Sequence, residues 1–279
     1  MTIVTYAVLA WLGLAFGSFI NALVWRLHEQ SKKSARSKKP SLSILKGRSM
    51  CPNCRHPLAL IDLIPVLSWL ALKGKCRHCH KKISWQYPAV ELAGAAVFTL
   101  SYAFWPAELQ SAGQWLLFID WLVVSVGLLA LLVYDFRWML LPSRLIYPTA
   151  AVAVTGRLAY IVGFETDRWQ ALLMWLLALG VASGIFWLLF EISKGKWIGF
   201  GDVRLGLITG TVLATPPKAF LMIFMASVLG TILVLPALIT GRKSMTSRLP
   251  YGPFLIVATW LTMLFGDQIL ERYRGFFIY

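Results

Sequence analysis

The sequence predicts an all-α polytopic membrane protein of about eight transmembrane helices, with one large polar loop domain after the first helix. Three observations carry that prediction. Hydrophobic residues make up 58% of the chain and charged residues only 14%, a balance foreign to ordinary soluble domains of 279 residues. Apolar runs recur at Ile3–Leu27, Pro88–Trp105, Trp115–Tyr134, Ser143–Gly163, Trp169–Phe190, Ile198–Ala214, Ala219–Ile239 and Phe254–Leu270, lengths that suit a bilayer. The basic residues then alternate between faces. With eight spans, segments 28–87, 135–144, 191–204 and 241–250 share one side and hold 21 of the 27 Lys and Arg residues. That side is therefore expected to be cytoplasmic, with both termini outside.

Residues 1–27 come first, with no Lys or Arg before the apolar run and Arg26 at its end. A cleavable signal peptide carries its charge in front, so an uncleaved anchor helix is expected. Residues 28–87 are the large polar segment, with 13 Lys and Arg against two acids, Glu29 and Asp62. Its part Ser31–Arg48 is rich in Lys and Ser, a composition that suits flexible chain. A solvated loop beside anionic lipid accounts for it without a specific partner. A net charge of +15 would suggest nucleic acid in a soluble protein; collected in the loops of a membrane chain, it does not. Residues 88–279 are expected to be a core of about seven helices. The run Ile198–Ala214 is short enough for a re-entrant segment. If it failed to cross, however, Arg242, Lys243 and Arg248 would face outward, against the bias.

Gly199-Phe-Gly-Asp202 opens that short run, and Asp135 closes the third. A charge within a spanning segment costs roughly 2.5 kcal/mol or more, so its default reading is functional. A helix N-cap or a solvated loop carboxylate would be the bland account of Asp202. A second aspartate on the same face favours a pair. Gly199 and Gly201 let the backbone bend, or be approached closely by an extended substrate. Two nearby carboxylates share a proton, because like charges at short range cannot both ionise. The ionised one can draw a proton from an attacking water while the protonated one donates to a peptide carbonyl oxygen. No G-x-S-x-G or H-E-x-x-H motif competes for that role. A transporter could use the same acids as a proton or cation relay, with internal symmetry between its halves. Asp120 lies deeper in its span, where pairing within the bundle or a polar cavity would account for it.

The loop carries a second constellation: Cys51-Pro-Asn-Cys54 and Cys76-Arg-His-Cys79, the only cysteines in the chain. Two C-x-x-C pairs supply the tetrahedral thiolate set that Zn(II) fills well, one knuckle from each pair. Arg55, Lys75, Arg77, Lys81 and Lys82 would offset the thiolate charge. Disulfides are the alternative, and a cytoplasmic loop disfavours them. Four cysteines close the site, so the metal is expected to hold the loop together rather than do chemistry. A membrane-anchored zinc module that binds a partner or nucleic acid is a further reading, but it leaves the aspartates unexplained.

In order, these residues resemble the type IV prepilin peptidases, membrane aspartyl proteases of the G-x-G-D class. The matches run from Gly17-Ser-Phe-Ile-Asn21 through the cysteine pairs, Ile64-Pro-Val-Leu-Ser-Trp69 and Ile83-Ser-Trp-Gln-Tyr-Pro-Ala-Val-Glu91. They continue through Asp135, Leu141-Pro142 and Gly199-Phe-Gly-Asp202 to Tyr251-Gly-Pro-Phe254. The resemblance implies a bacterial inner-membrane enzyme that cuts the basic leader from prepilins or pseudopilins on the cytoplasmic side. The four-cysteine loop marks members that also methylate the new N-terminus with S-adenosylmethionine. By position, Asp135 and Asp202 are the catalytic pair and Cys51, Cys54, Cys76 and Cys79 the metal ligands; Asn21 and Glu91 are candidates for the methyl-donor site. The family often has Arg where this chain has Gln86, Asp where it has Ser143, Asn where it has Leu63 and Lys where it has Arg204.

Overall fold

The computed structural model describes residues 2–31, 49–241 and 250–277. Most of the Lys- and Ser-rich run, and the basic residues Arg242, Lys243 and Arg248, lie outside them. Among the described residues the regular elements are helices, with two isolated β-bridges, Met50 with Pro57 and Lys75 with Lys82. It divides into two compact units, Met1–Ala103 and Phe104–Tyr279.

In the first unit, α1 (Thr2–Ser31) packs along α3 (Gln86–Ala103), and the polar loop between them contains the short helix α2 (Leu67–Ala71). Small residues let α1 and α3 meet closely. A Cβ on Gly13 would run into the backbone of Gly94 and Ala95, and one on Gly17 into Val90 and Glu91. Lipid is as apolar as leucine, so helices in it associate through such close packing rather than through a hydrophobic drive.

The second unit holds α4 (Ala112–Trp138), α5 (Ser143–Phe164), α6 (Arg168–Leu179), α7 (Ile185–Ser193), α8 (Phe200–Leu213), α9 (Pro216–Ile239) and α10 (Gly252–Phe277). Helix α8 is its hub and packs on α5, α6, α7, α9 and α10. Nine of its fourteen residues are buried, Asp202 among them. The residues Gly180–Gly184, between α6 and α7, form one turn of π-helix. This turn lies against α8: Ser183 Oγ donates to the Val203 carbonyl at 2.8 Å, and Gly206 and Gly210 fit against Ala182 and Ala178. The spacing of four on both partners is the small-residue pattern of membrane helix pairs.

Each of the eight apolar runs is helical over most of its length, and among the described residues six helices are long and apolar enough to cross a membrane: Thr2–Ser31, Ala112–Trp138, Ser143–Phe164, Arg168–Ser193, Pro216–Pro236 and Gly252–Phe276. Helices α3, with 18 residues, and α8, with 14, are not among the six. At about 1.5 Å per residue α8 reaches about 21 Å, against a hydrocarbon core of about 30 Å. It is enclosed by protein, the setting in which a short helix can sit at membrane depth.

Candidate active site and metal centre

Both site aspartates stand at helix ends in the second unit. Asp135 occupies the last turn of α4, which stops at Met139 in a left-handed conformation (φ 52°) whose N–H returns to the Asp135 carbonyl at 2.7 Å. Asp202 lies in the first turn of α8; Gly199 precedes that turn in extended conformation and accepts the Asp202 N–H at 3.0 Å. The two carboxylates are 4% and 9% exposed, and they are close enough for their charges to interact. Neither carries an ion pair among the described residues. Arg204, two residues from Asp202, is turned elsewhere. It donates to Ser143 Oγ at 2.6 Å and lies 5.4 Å from the Phe200 ring. Arg204 of α8 and Ser143 of α5 thus form one hydrogen-bonded pair.

Three backbone segments converge on the carboxylates. The Leu141 side chain packs on Gly201 (a Cβ there would meet it at 3.1 Å) and on Gly252. Gly252, the first residue of α10, faces Asp135 so closely that its Cβ would lie 2.5 Å from Oδ2. The neighbouring Tyr251 shares a hydrogen bond with Ser227 of α9 at 3.3 Å. A Cβ on Gly199 would make only ordinary contacts, with Asp202 Oδ2 at 3.7 Å and Gly201 N at 3.9 Å. The roles of Gly252 and Leu141 escaped the sequence reading. Each was visible as part of a motif, but only the packing shows that one carboxylate rests on a glycine from a distant helix.

In the first unit the two cysteine pairs form matching knuckles. The Cys51 N–H donates to the His56 carbonyl and the Arg55 N–H to that of Cys51, at 3.0 and 2.9 Å. The second pair repeats this with Cys76 to Lys81 and His80 to Cys76, both at 3.0 Å. Arg55 and His80, each four residues past the first cysteine of its pair, both adopt positive φ, 58° and 55°. All four thiols are unpaired as disulfides, and their sulfurs lie within 4.8 Å of one another, Cys51 and Cys79 at 3.9 Å. A tetrahedral Zn(II) with bonds of about 2.3 Å sets sulfurs about 3.8 Å apart, so this cluster can hold such an ion. The Cys79 and His78 backbone N–H groups draw the Cys76 thiol down to about 7 despite its burial, whereas burial pushes Cys51 up to about 11.

Asn21 and Glu91, 3% and 6% exposed, anchor the loop that carries this cluster. Asn21 Nδ2 donates to the Tyr87 carbonyl at 3.1 Å, and its Oδ1 accepts from Gln86 at 3.4 Å. Glu91 Oε2 accepts the N–H of Val66 at 2.7 Å, where φ is 61°. Asp62 pairs with Arg77 at 2.9 Å. Leu60, Ile61, Leu67 and Leu70 of the loop remain exposed, and Trp69 packs on Trp85 with ring centroids 4.6 Å apart.

Two family models match the chain: the bacterial peptidase A24 N-terminal domain over residues 11–105 and the type IV leader peptidase family over residues 122–235. Among curated relatives, a prepilin leader peptidase/N-methyltransferase of Bacillus subtilis (strain 168) is 33% identical over 83% of this chain and 87% of its own length. A type 4 prepilin-like proteins leader peptide-processing enzyme of Escherichia coli O78:H11 is 33% identical over 91% of this chain and 93% of its own. A prepilin leader peptidase/N-methyltransferase of Stutzerimonas stutzeri is 29% identical over 95% and 92%. No solved structure matches the chain significantly.

Proposed function

The chain belongs to the type IV leader peptidase family, and from that premise we infer that it removes the leader peptide of prepilins or pseudopilins and N-methylates the residue so exposed. The observation that carries the proteolytic half is the pair Asp135 and Asp202, buried together with no counter-cation among the described residues. Such a pair holds one proton between its two carboxylates. The ionised member takes a proton from water as the water attacks the scissile carbonyl. The protonated member donates to the carbonyl oxygen, and the two roles reverse as the amine leaves. Gly199 and Gly201 would let an extended leader lie against the start of α8. A proton or cation relay through the same acids is not favoured, since the relatives are named as peptidases.

We assign Cys51, Cys54, Cys76 and Cys79 as ligands of a structural Zn(II) ion. Four thiolates leave it no open position for substrate, so it would fold the loop rather than activate water. S-adenosylmethionine, when bound, supplies the methyl group. Asn21 and Glu91 would serve its site through the loop backbone at Tyr87 and Val66, because that is where their hydrogen bonds are already spent. The functional division we propose is an anchor helix 1–27, a metal-bearing loop 28–87 and a proteolytic core 88–279. Eight spans in the bacterial inner membrane, with both termini outside, would give the basic segments and the cleavage site a common cytoplasmic face.

The test is cleavage of a prepilin-derived peptide by Asp135→Asn and Asp202→Asn. An amide serves in neither role, so each variant should lose on the order of 10²-fold or more of the activity, the scale of one acid–base group. Near-parental turnover by either folded variant would remove that residue from the pair.

A further inference from the structure

Between its two cysteine pairs, the loop of the first unit carries a surface that neither metal binding nor proteolysis uses. Residues 59–71 fold as a 3₁₀ turn, Leu60–Leu63, followed by the short α2, and neither element buries a residue. Every exposed residue of this segment is apolar, Leu60, Ile61, Ile64, Leu67 and Leu70 being the largest. A contiguous apolar surface left outside marks a place where something else is covered or entered.

The polar groups of the segment are spent internally. Asp62 accepts the Ala59 N–H at 3.3 Å and pairs with Arg77 at 2.9 Å. Trp69 Nε1 donates to the Ile83 carbonyl at 3.3 Å, and the Ser68 N–H to that of Ile64 at 3.1 Å. The Val66 N–H goes to Glu91 of α3 at 2.7 Å. Chain that meets hydrocarbon must be satisfied in this way, because lipid tails offer no partner.

That last bond also sets the height of the segment along the helices. Glu91 lies five residues inside the start of α3, about 7.5 Å at about 1.5 Å per residue. A Cβ on Gly17 would lie 2.6 Å from the Glu91 Cα, so Glu91 is level with Gly17 of α1. Gly17 stands ten residues before Leu27, where the first apolar run ends, and so about 15 Å inside it. Its neighbours Phe16 and Phe19 are exposed. Glu91 therefore draws the middle of the loop back alongside the helices, toward a level at which α1 itself presents aromatic side chains outward. Arg55, Lys73, Lys75, Lys81 and Lys82 are exposed on the same loop, and Asp62, paired already, is the one acid of residues 49–85.

We propose that residues 59–71 form a wedge that enters the bilayer leaflet beside α1 and α3, with its leucines and isoleucines among the upper acyl chains and the exposed cations among anionic headgroups. Two features select lipid as the occupant. The apolar surface continues that of a helix long and apolar enough to cross the membrane, and the charge around it is of the sign an anionic leaflet attracts. Interfacial segments of this kind lie about 5–10 Å into the boundary between headgroups and acyl chains. Trp69 and Trp85, with ring centroids 4.6 Å apart, are of the residue type enriched there. The wedge lies between the two knuckles in sequence, so it holds both against the leaflet.

The experiment uses the full chain with its metal, in vesicles of phosphatidylcholine mixed with phosphatidylglycerol. A genetically encoded fluorescent side chain replaces Leu60, Leu67 or Lys81, one at a time, which leaves the four cysteines in place. Quenching is read with lipids brominated high on the acyl chain and with iodide in the water. Probes at positions 60 and 67 should lose about half of their emission or more to the brominated lipid, as that depth requires, and almost none to iodide. The probe at position 81 should show the reverse. Leu67→Gln with Leu70→Gln should lower the brominated-lipid quenching at position 60 by about twofold or more, and so should omission of phosphatidylglycerol, by about twofold. Unchanged amide-exchange protection at residues 76–83 certifies that the variant loop is folded. Positions 60 and 67 shielded from both quenchers would mean that protein covers the surface, and quenching by iodide that water does; either result overturns the wedge. Equal brominated-lipid quenching at position 81 would overturn its orientation, and quenching unchanged without phosphatidylglycerol would overturn the part given to anionic headgroups.

Discussion

Replacing Gly252 by alanine should cripple cleavage while leaving the fold nearly intact. A Cβ at this position would lie 2.5 Å from Asp135 Oδ2 and 3.5 Å from Leu141 Cδ1. Ordinary contact begins near 3.4 Å, so the carboxylate must retreat by about 0.9 Å, the difference between the two distances. Asp135 is 4% exposed, which leaves it no solvent-filled space to retreat into. A misplacement of about 1 Å at a reacting group can cost on the order of 10²-fold in rate. The expected result is a kcat about 100-fold lower on a prepilin-derived peptide, with Tm lowered by only a few degrees, as about 1 kcal/mol would do in a chain of this size. Gly163→Ala is the control, since nothing lies within 4 Å of a Cβ there. A Gly252→Ala enzyme within threefold of the parent, at unchanged Gly163→Ala activity, would refute the claim that this glycine positions Asp135.

Other expectations follow from the same geometry. Cys51→Ser with Cys54→Ser should abolish stoichiometric metal and lower methyl incorporation sharply while cleavage falls less; stoichiometric zinc in the double variant would refute the ligand assignment, and cleavage lost in proportion would refute the separation. Gly206→Val, which would drive a side chain into Ala182 and Ser183, should destabilise the second unit by about 1–3 kcal/mol, the usual cost of overpacking, measured by thermal unfolding. A cysteine placed at Gln110 should react with an impermeant reagent added outside the cell, and one at Lys82 should not; the reverse pattern would defeat the proposed orientation.

What could be read from the sequence was whatever depends on neighbours in the chain. The knuckles follow from spacing alone: a C-x-x-C pair returns on itself through hydrogen bonds spanning a few residues, and both pairs do so in the same way. The helices follow from apolar runs, which have little choice in lipid but to satisfy their own backbone. Asp135 and Asp202 were legible because charge at the edge of such a run is costly. The π-turn at Gly180–Gly184 was not, since its sequence is as apolar and small as an ordinary helix turn, and its form accompanies the packing of Ser183 on Val203. Nor was the pairing of Arg204 with Ser143, whose partners belong to different helices. Asp120 was legible as an anomaly; it lines a cavity that only the convergence of four helix ends makes.

These particulars have one physical source. Burial from water cannot drive helices together within a bilayer, so their contacts rest on fit. In the second unit the fit is made where glycines meet other helices: Gly206 and Gly210 against Ala182 and Ala178, Gly201 against Leu141, Gly252 against Asp135. The first three hold α8 at a set depth and rotation, which fixes where Asp202 begins it; the last sets Asp135 against α10. The carboxylate pair is therefore positioned by backbones in contact rather than by counter-ions, of which the described residues offer neither aspartate any. A site held in this way should fail early. Added methyl groups at these glycines will move a carboxylate by fractions of an ångström before they unfold a helix, so cleavage will fall at temperatures where the fold still persists.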